Sequence, residues 1–186
     1  MTLSHEEKNV LLSFAREAIA ISLRGGEPPE HRVPHAALRE EGRGAFVTLH
    51  KKGALRGCIG ALTSPSPLYE TIANMAVAAA TGDPRFENLT LAELERVDIE
   101  LSILTPLKKV DDIAEIEVGR HGIYLLKGDH KGVLLPQVAS EYGWTREQFL
   151  DHTCLKAGLK PGEWGDEGVE IYTYEAEIFS EGEGGA

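Results

Sequence analysis

The chain of 186 residues has little of several features that mark particular classes of protein. Its only cysteines are Cys58 and Cys154, too few for the disulfide framework of a small secreted domain. No apolar run approaches the roughly 20 residues that span a bilayer, and the N-terminus lacks the basic and apolar regions of a secretion signal. These absences favour a cytoplasmic protein with free thiols, although one bridge between the two cysteines stays open.

Basic residues are also in the minority. Lysine and arginine number 19 against 30 aspartates and glutamates, which gives a net charge of −11. This charge argues against non-specific affinity for nucleic acid or anionic membranes, but it allows a local basic pocket. The hydrophobic share of 42% is ordinary for a globular protein, so the chain can form a real core in one domain or two small lobes.

Helix signals recur along the chain. A serine or threonine followed three residues later by Glu or Gln forms a capping box, whose side chains pair with backbone N–H groups at the helix start. Such boxes predict helices after Ser4, Thr90 and Thr145. Ser66-Pro67 and Pro136 predict two more helix starts.

Strand signals fall between these helices. They predict a hairpin from 45–49 and 54–62, a half-buried strand over 97–103, a longer hairpin from 122–126 and 133–135, and a last strand over 169–179 with a bulge near Glu175. Helices and hairpins interleave without a βαβ repeat, which favours an α+β fold with a mostly antiparallel sheet flanked by helices. We expect residues 1–180 to form a single domain and 181–186 a disordered tail.

The most informative stretch is Leu55-Arg56-Gly57-Cys58-Ile59-Gly60. In an extended strand Arg56 and Cys58 share one face, about 7 Å apart. A nearby cation favours the nucleophilic thiolate, so Cys58 is the leading catalytic candidate. Gly57 and Gly60 leave room for a ligand or another backbone, which with Arg56 predicts substrate binding. The alternative is that Cys58 is a small apolar residue packed in a strand.

The register of the first hairpin decides what lies beside the thiol. A three-residue loop, Lys51-Lys52-Gly53, places Thr48 opposite Arg56 and Phe46 opposite Cys58. A two-residue loop would shift this pairing by one residue.

A cysteine nucleophile usually needs a base, and two residues are candidates. His121 lies next to Gly122 and close to Gly119, which indicates an unusual backbone, although the pattern by itself favours a solvated turn histidine. Glu100 on the strand over 97–103 could accept a proton or simply neutralise Arg56. We therefore name Cys58, His121 and Glu100 as candidate catalytic residues.

Asp83 and Arg85 bracket a proline just after a predicted helix. They could form a local ion pair that fixes the turn, or Arg85 could join Arg56 in binding an anionic group. We include both residues among the candidate substrate-binding residues.

Metal and cofactor motifs are absent from the sequence. There is no Cys-x-x-Cys, His-Glu-x-x-His or facial-triad spacing, and no phosphate-binding loop. Cys154 lies in a predicted amphipathic helix and is expected in the core. We predict neither a metal nor a cofactor.

Taken together, these residues resemble the AMMECR domain family, called AmmeMemoRadiSam system protein A in microbes. The resemblance runs from about Leu11 to Glu181. It rests on matching blocks in the family's order: Leu55–Gly60, Asp83–Phe86, Ile99–Leu104, His121-Gly122, Leu134–Ala139, Trp144 and Cys154-x-Lys156-Ala157-Gly158.

The resemblance implies a larger lobe built on an antiparallel sheet, a smaller lobe beside it, and the signature near the cleft between them. It also implies two partners, a Memo-type protein similar to extradiol dioxygenases and a radical S-adenosylmethionine enzyme. This chain lacks the cysteine triplet that an iron–sulfur cluster needs, so it would not supply the cluster of such a system.

Two functional hypotheses follow. In the first, the chain is an enzyme or covalent carrier in a modification system and uses Cys58 as nucleophile or acceptor. In the second, it is a non-catalytic binding or adaptor module that recognises a protein partner or a small anionic ligand through an arginine-lined cleft.

Overall fold

The computed structural model describes residues 2–26 and 35–184 and confirms the α+β fold. The chain divides into two compact units. The first contains residues up to Leu104 together with those from Glu177 onward, and the second contains Thr105–Ala176. Each unit has its own four-stranded sheet and its own apolar core.

In the first unit two helices pack against one face of the sheet, and a short third helix adds Leu94 to the same core. The strands lie in the order β2-β1-β3-β8, so that β2 and β8 are the edges. Its elements are α1 (His5–Leu23), β1 (Ala45–Lys51), β2 (Ala54–Ala61), α2 (Leu68–Thr81), α3 (Leu91–Leu94), β3 (Val97–Leu104) and β8 (Ala176–Ser180). Alternate residues of β1 and β3 point into the core, among them Val47, Leu49, Ile99 and Leu101, and the remaining residues point to the opposite face.

Local signals account for most helix boundaries in this unit. The Ser4–Glu7 capping box forms as predicted, and α1 ends just before Gly25, whose φ of +77° is typical of glycine at a helix end. Helix α2 ends at Thr81, with Gly82 as its C-cap. The alanine-rich face of α2 packs closely on the sheet because Gly57 has no side chain, which lets the Ala79 carbonyl approach the strand.

The predicted register of the first hairpin is wrong. The loop has two residues, Lys52 and Gly53, with φ of +53° and +77°, and these angles suit the tight turn that matches strand twist. Thr48 therefore pairs with Cys58 rather than with Arg56. A bulge adds Arg56 as the extra residue between the Leu49–Gly57 and His50–Leu55 pairs.

The second unit has the strand order β4-β7-β5-β6. Its elements are β4 (Lys108–Lys109), β5 (Gly122–Lys127), β6 (His130–Leu134), α4 (Pro136–Glu141), α5 (Arg146–Lys156) and β7 (Val169–Tyr174). The Thr145–Gln148 capping box begins α5 as predicted. Cys154 on α5 is fully buried in the core, and burial raises the pKa of its thiol.

Three further predictions need correction. The last strand is two strands, because the chain leaves the second sheet after Tyr174 and joins the first at Ala176. The hairpin of β5 and β6 turns tightly at Gly128 and Asp129 rather than through a long loop. The predicted tail from 181 begins as an ordered 3-10 turn over Glu181–Gly184, and residues 185–186 lie outside the described part.

The structure also bears on the cysteines, on membrane-spanning helices and on the predicted segment before β1. Both cysteines are free. In the ranges 2–26 and 35–184, no helix has the length and apolar character needed to cross a membrane. The predicted connecting segment before β1 falls partly on residues 27–34, which lie outside the described residues.

Candidate functional site

Cys58, Thr48 and Glu100 form a row across three neighbouring strands. Thr48 on β1 pairs with Cys58 on β2 and with Glu100 on β3. Directly opposed residues in an antiparallel sheet share a face, and here it is the face opposite the core. The Thr48 hydroxyl donates a hydrogen bond to Cys58 Sγ over 3.4 Å. The sheet thus brings together two of the predicted catalytic residues, Cys58 and Glu100, on one face with a hydroxyl between them.

The backbone of Cys58 is held by side chains from the loop after α2. Its N–H donates to Asp83 Oδ2 over 2.8 Å, and its carbonyl accepts from Arg85 Nη2 over 3.3 Å. Both backbone groups therefore point away from β1, toward the free edge of the sheet. The side chain of Cys58 is half-buried and thus partly accessible from that face.

Asp83 and Arg85 form a bidentate ion pair. Arg85 Nε lies 2.9 Å from Asp83 Oδ1, and Arg85 Nη2 lies 2.7 Å from Oδ2. The Asp83 side chain is only 2% exposed, whereas that of Arg85 is 54% exposed. The Arg85 guanidinium, with the N–H groups of Cys58 and Arg85, holds the pKa of Asp83 far below its usual range. The local ion pair expected as one alternative is thus present, and it also binds the strand that carries the thiol.

Arg56 is paired with Glu93, a residue that the sequence analysis did not select. Arg56 Nε and Nη2 donate to the Glu93 carboxylate over 3.2 and 3.1 Å, and Lys51 Nζ donates to it over 2.6 Å. The Arg56 guanidinium and then the Lys51 ammonium lower the pKa of Glu93 from 4.5 to about 2. The predicted Thr90 capping box is half formed, since the Thr90 hydroxyl accepts from the Glu93 N–H while the Glu93 carboxylate turns to the two cations.

The cation beside Cys58 is Arg85 rather than Arg56. In the part of the chain that the structure describes, no hydrogen bond or ion pair joins Arg56 to Cys58. The guanidinium carbons of Arg56 and Arg85 lie 5.8 and 5.5 Å from the centroid of the Phe86 ring, so both cations contact one aromatic side chain. Arg56 Nη1 is buried without a hydrogen-bond partner.

The two glycines of the signature are used by the protein itself. A side chain at Gly57 would meet the Ala79 carbonyl of α2, and one at Gly60 would meet the ring of Phe46. The close approach that the sequence predicted therefore exists at both positions. The Ala79 carbonyl and the Phe46 ring fill the space beside the two glycines, so that space is not open to a substrate as the prediction required.

His121 lies in the second unit, at the start of β5. Its Nδ1 accepts a hydrogen bond from the Glu117 N–H over 3.1 Å, which leaves Nε2 as the protonated nitrogen of the neutral ring. Nε2 faces Glu175 Oε1 at 4.0 Å. These contacts all lie within the second unit.

His50 is a second residue outside the predicted site, because its place beside the hairpin turn favoured an exposed side chain. It is half-buried and follows Thr48 by two residues on β1, on the same face as Cys58. Diagonal neighbours across an antiparallel pair lie about 7–8 Å apart, within the reach of an imidazole or one bridging water. With the observed register His50 is a diagonal neighbour of Cys58, whereas the predicted three-residue loop would have placed the two residues further apart on the same face.

Among residues 2–26 and 35–184, no group of three or more His, Cys, Asp or Glu side chains is arranged to hold a metal ion. His152, near Cys154 in sequence, stacks on Trp144 with ring centroids 3.8 Å apart.

The fold and site define a two-unit α+β protein that presents a thiol on the non-core face of an antiparallel sheet. Comparison with known proteins gives the family: the AMMECR1 family model matches residues 12–179. The chain belongs to this family. It is 46% identical over 190 residues to Protein MK0488 of Methanopyrus kandleri, covering 97% of this chain and 91% of that one.

A second relative agrees in length, and a solved structure agrees in fold. Protein MJ0810 of Methanocaldococcus jannaschii is 43% identical over 187 residues, with 96% of this chain and 92% of the relative covered. The crystal structure of the uncharacterized protein PH0010 from Pyrococcus horikoshii superposes with a TM-score of 0.83 at 40% identity, covering 92% of this chain and 90% of that one.

Proposed function

We propose that this protein is the thiol-bearing component of a multi-protein modification system, in which Cys58 acts as a nucleophile or covalent acceptor. The observation that carries the proposal is the setting of Cys58. Its side chain is partly accessible on the non-core face, its Sγ accepts the Thr48 hydroxyl, and its backbone is fixed on the open edge by Asp83 and Arg85. A packed structural cysteine needs none of these contacts, as Cys154 in the second core illustrates.

Electrostatics around the thiol support the same role. The Thr48 hydroxyl donates to the sulfur of Cys58, and the Arg85 guanidinium donates to the carbonyl of the same residue, so a hydrogen-bond donor and a cation both lie beside the thiol. Glu100 in the row and His50 on the same face are the groups available to move a proton. We retain His121 as a third candidate from its position between glycines and from the family resemblance.

The partners proposed for the system are a Memo-type protein and a radical S-adenosylmethionine enzyme, as the resemblance implies. The free state of both cysteines supports a cytoplasmic setting, where thiols stay reduced.

Alkylation kinetics test the reactive thiol. The Cys154→Ala variant leaves Cys58 as the sole thiol, so its rate of reaction with iodoacetamide at pH 7 can be followed by intact mass. We expect the folded protein to react faster than the same variant in urea, and Thr48→Val to lose most of the difference. A folded rate below the unfolded one would refute the proposal.

The binding-module hypothesis rests on the arginines, and the geometry favours it less. Arg56 is already paired with Glu93, and Arg85 with Asp83, so an anionic ligand would have to displace a carboxylate from either. One observation does favour it, namely the buried Arg56 Nη1 without a partner.

Two variants separate the hypotheses. Cys58→Ser and Arg56→Lys are each compared for capture of the Memo-type protein and for the covalent change that the assembled system makes. A reactive thiol predicts that Cys58→Ser still captures the partner but abolishes the change. If Cys58→Ser retains both while Arg56→Lys loses both, the site is a recognition surface.

A further inference from the structure

We propose that Asp83 is a positioning residue that acts through Cys58, and that it makes the thiol suited to electrophiles other than carbonyl groups. The inference rests on the proposed function of Cys58 and names the class of electrophile with which the thiol reacts.

Strand β2 is an edge strand, and edge strands expose unpaired N–H and C=O groups. At Cys58 the Asp83 carboxylate and the Arg85 guanidinium take the positions that a further strand would fill, one as acceptor and one as donor. The bidentate pair between them fixes both side chains at once. The backbone of Cys58, and with it the direction of Cα–Cβ, is therefore held from both sides of the strand.

The same contacts remove the groups that acyl transfer needs. Attack on a carbonyl builds an oxyanion, which enzymes stabilise with N–H groups near the nucleophile. Pairs alternate along an antiparallel ladder, so the Val47–Ile59 and Leu49–Gly57 pairs are the hydrogen-bonded ones and the N–H groups of Gly57 and Ile59 face β1. The N–H of Cys58 itself is taken by the negative carboxylate of Asp83.

A thiol in this setting is suited to reactions that build no oxyanion. Attack on a disulfide is one: the Cys58 thiolate forms a bond to one sulfur, the sulfur–sulfur bond breaks, and its electron pair leaves on the second sulfur as a thiolate. No proton donor or oxidant beyond the disulfide is required. Release of the carried group then needs a second thiol from a partner, because Cys154 is buried in the other core.

The chain offers a matched control for the Asp83 contacts. Glu181 also makes a bidentate pair with an arginine, Arg16, and its Oε2 accepts the N–H of Ile99 on β3 over 2.9 Å. A carboxylate, a guanidinium and one strand N–H thus meet at both places. Only the Asp83 contacts include the residue that carries the thiol.

The experiment compares two probes of Cys58 in the Cys154→Ala background. One is the disulfide 5,5′-dithiobis(2-nitrobenzoate), and the other is the activated ester p-nitrophenyl acetate. Rate constants at pH 7 are measured for the parent, Asp83→Asn, Asp83→Ala and Glu181→Gln, together with the melting temperature of each.

We expect Asp83→Ala to free the Cys58 N–H and to raise the ratio of ester rate to disulfide rate by about tenfold or more. Asp83→Asn keeps an acceptor for that N–H, and its ratio should stay within about threefold of the parent. Glu181→Gln should lower the melting temperature while leaving the ratio unchanged.

Two outcomes overturn the inference: an unchanged ratio in Asp83→Ala, or an equal rise in Glu181→Gln. Either can occur while Cys58 of the parent still reacts rapidly with iodoacetamide, so the failure of this inference is distinguishable from the failure of the proposed function. If Asp83→Ala does not fold, Asp83→Ser decides, because its shorter side chain no longer reaches the Cys58 N–H; the ratio should then rise as in Asp83→Ala, and an unchanged value would count against the inference.

Discussion

Substitution of Glu93 tests how much its ion pairs with Arg56 and Lys51 stabilise the folded protein. Glu93 accepts three hydrogen bonds from these two cations, and its side chain is 24% exposed while that of Arg56 is 14% exposed. Exposed ion pairs contribute about 0–1 kcal/mol and breaking a buried one costs about 3–5 kcal/mol. A pair at this intermediate depth should lie between these limits, so we expect Glu93→Gln to cost about 2 kcal/mol.

For a chain of this size, about 2 kcal/mol corresponds to a fall in melting temperature of about 4–8 °C. The assay is thermal unfolding followed by circular dichroism at pH 7. Glu170→Gln is the control, because Glu170 pairs at 2.6 Å with an exposed lysine, Lys109, and its loss should move the melting temperature by about 1 °C or less.

The pH dependence adds a signature that packing alone would not produce. The folded-state pKa of Glu93 is lowered from 4.5 to about 2, so its contribution to stability is present above pH 4.5 and is lost as the pH falls toward 2. The difference between parent and Glu93→Gln should therefore be constant from pH 8 to 6 and shrink below about 4.5. A difference that stays the same at pH 3.5, or a shift no larger than that of Glu170→Gln, would refute the reasoning.

Three further predictions concern the strands around the thiol and the second cysteine. Lys52 holds a positive φ of +53°, so Lys52→Asn should raise stability by about 0.5–1 kcal/mol in urea unfolding, and a loss would contradict the turn geometry. Gly57→Ala should cost about 1–3 kcal/mol because its Cβ meets the Ala79 carbonyl, whereas Gly53→Ala meets no atom and is strained only by its φ; an unchanged unfolding midpoint for Gly57→Ala would argue against the close approach of α2. Cys154 is fully buried with a raised pKa, so in native protein 5,5′-dithiobis(2-nitrobenzoate) should titrate one thiol and in urea two; two fast native thiols would contradict its burial.

Local sequence signals recovered the elements but not their pairing. The capping boxes at Ser4 and Thr145 involve groups three residues apart, and both form as predicted. The hairpin register failed because a lysine occupies a left-handed turn position, which favours glycine or asparagine, and because a bulge at Arg56 is invisible in the alternation. The last strand was predicted as one because its alternation runs through Glu175 without interruption, while the change of sheet at that point is a tertiary event.

The site was also predicted only where local sequence signals were sufficient, and it was missed where residues distant in sequence pair. Cys58 was selected from the hexapeptide motif, and Asp83 and Arg85 were selected from the tight turn that they bracket. In the structure these two segments meet through hydrogen bonds to the backbone of Cys58. The partner of Arg56 was missed because Glu93 is 37 residues away and fits a local capping role equally well. His50 lies on the face of Cys58 in either register, and it became a candidate only when the observed pairing placed it diagonally next to the thiol.

The central claim is that Cys58 acts as a nucleophile or covalent acceptor. One mass measurement tests this claim most directly. The chain is purified from cells that also contain the Memo-type and radical S-adenosylmethionine proteins, and from cells that lack them, without reductant. Peptide mapping then gives the mass of the Cys58 peptide. The account predicts an added group on Cys58 only when the partners are present, absent from Cys58→Ser and unaffected by Cys154→Ala. An unmodified Cys58 in both preparations, with Cys58→Ser supporting the system fully, would contradict it.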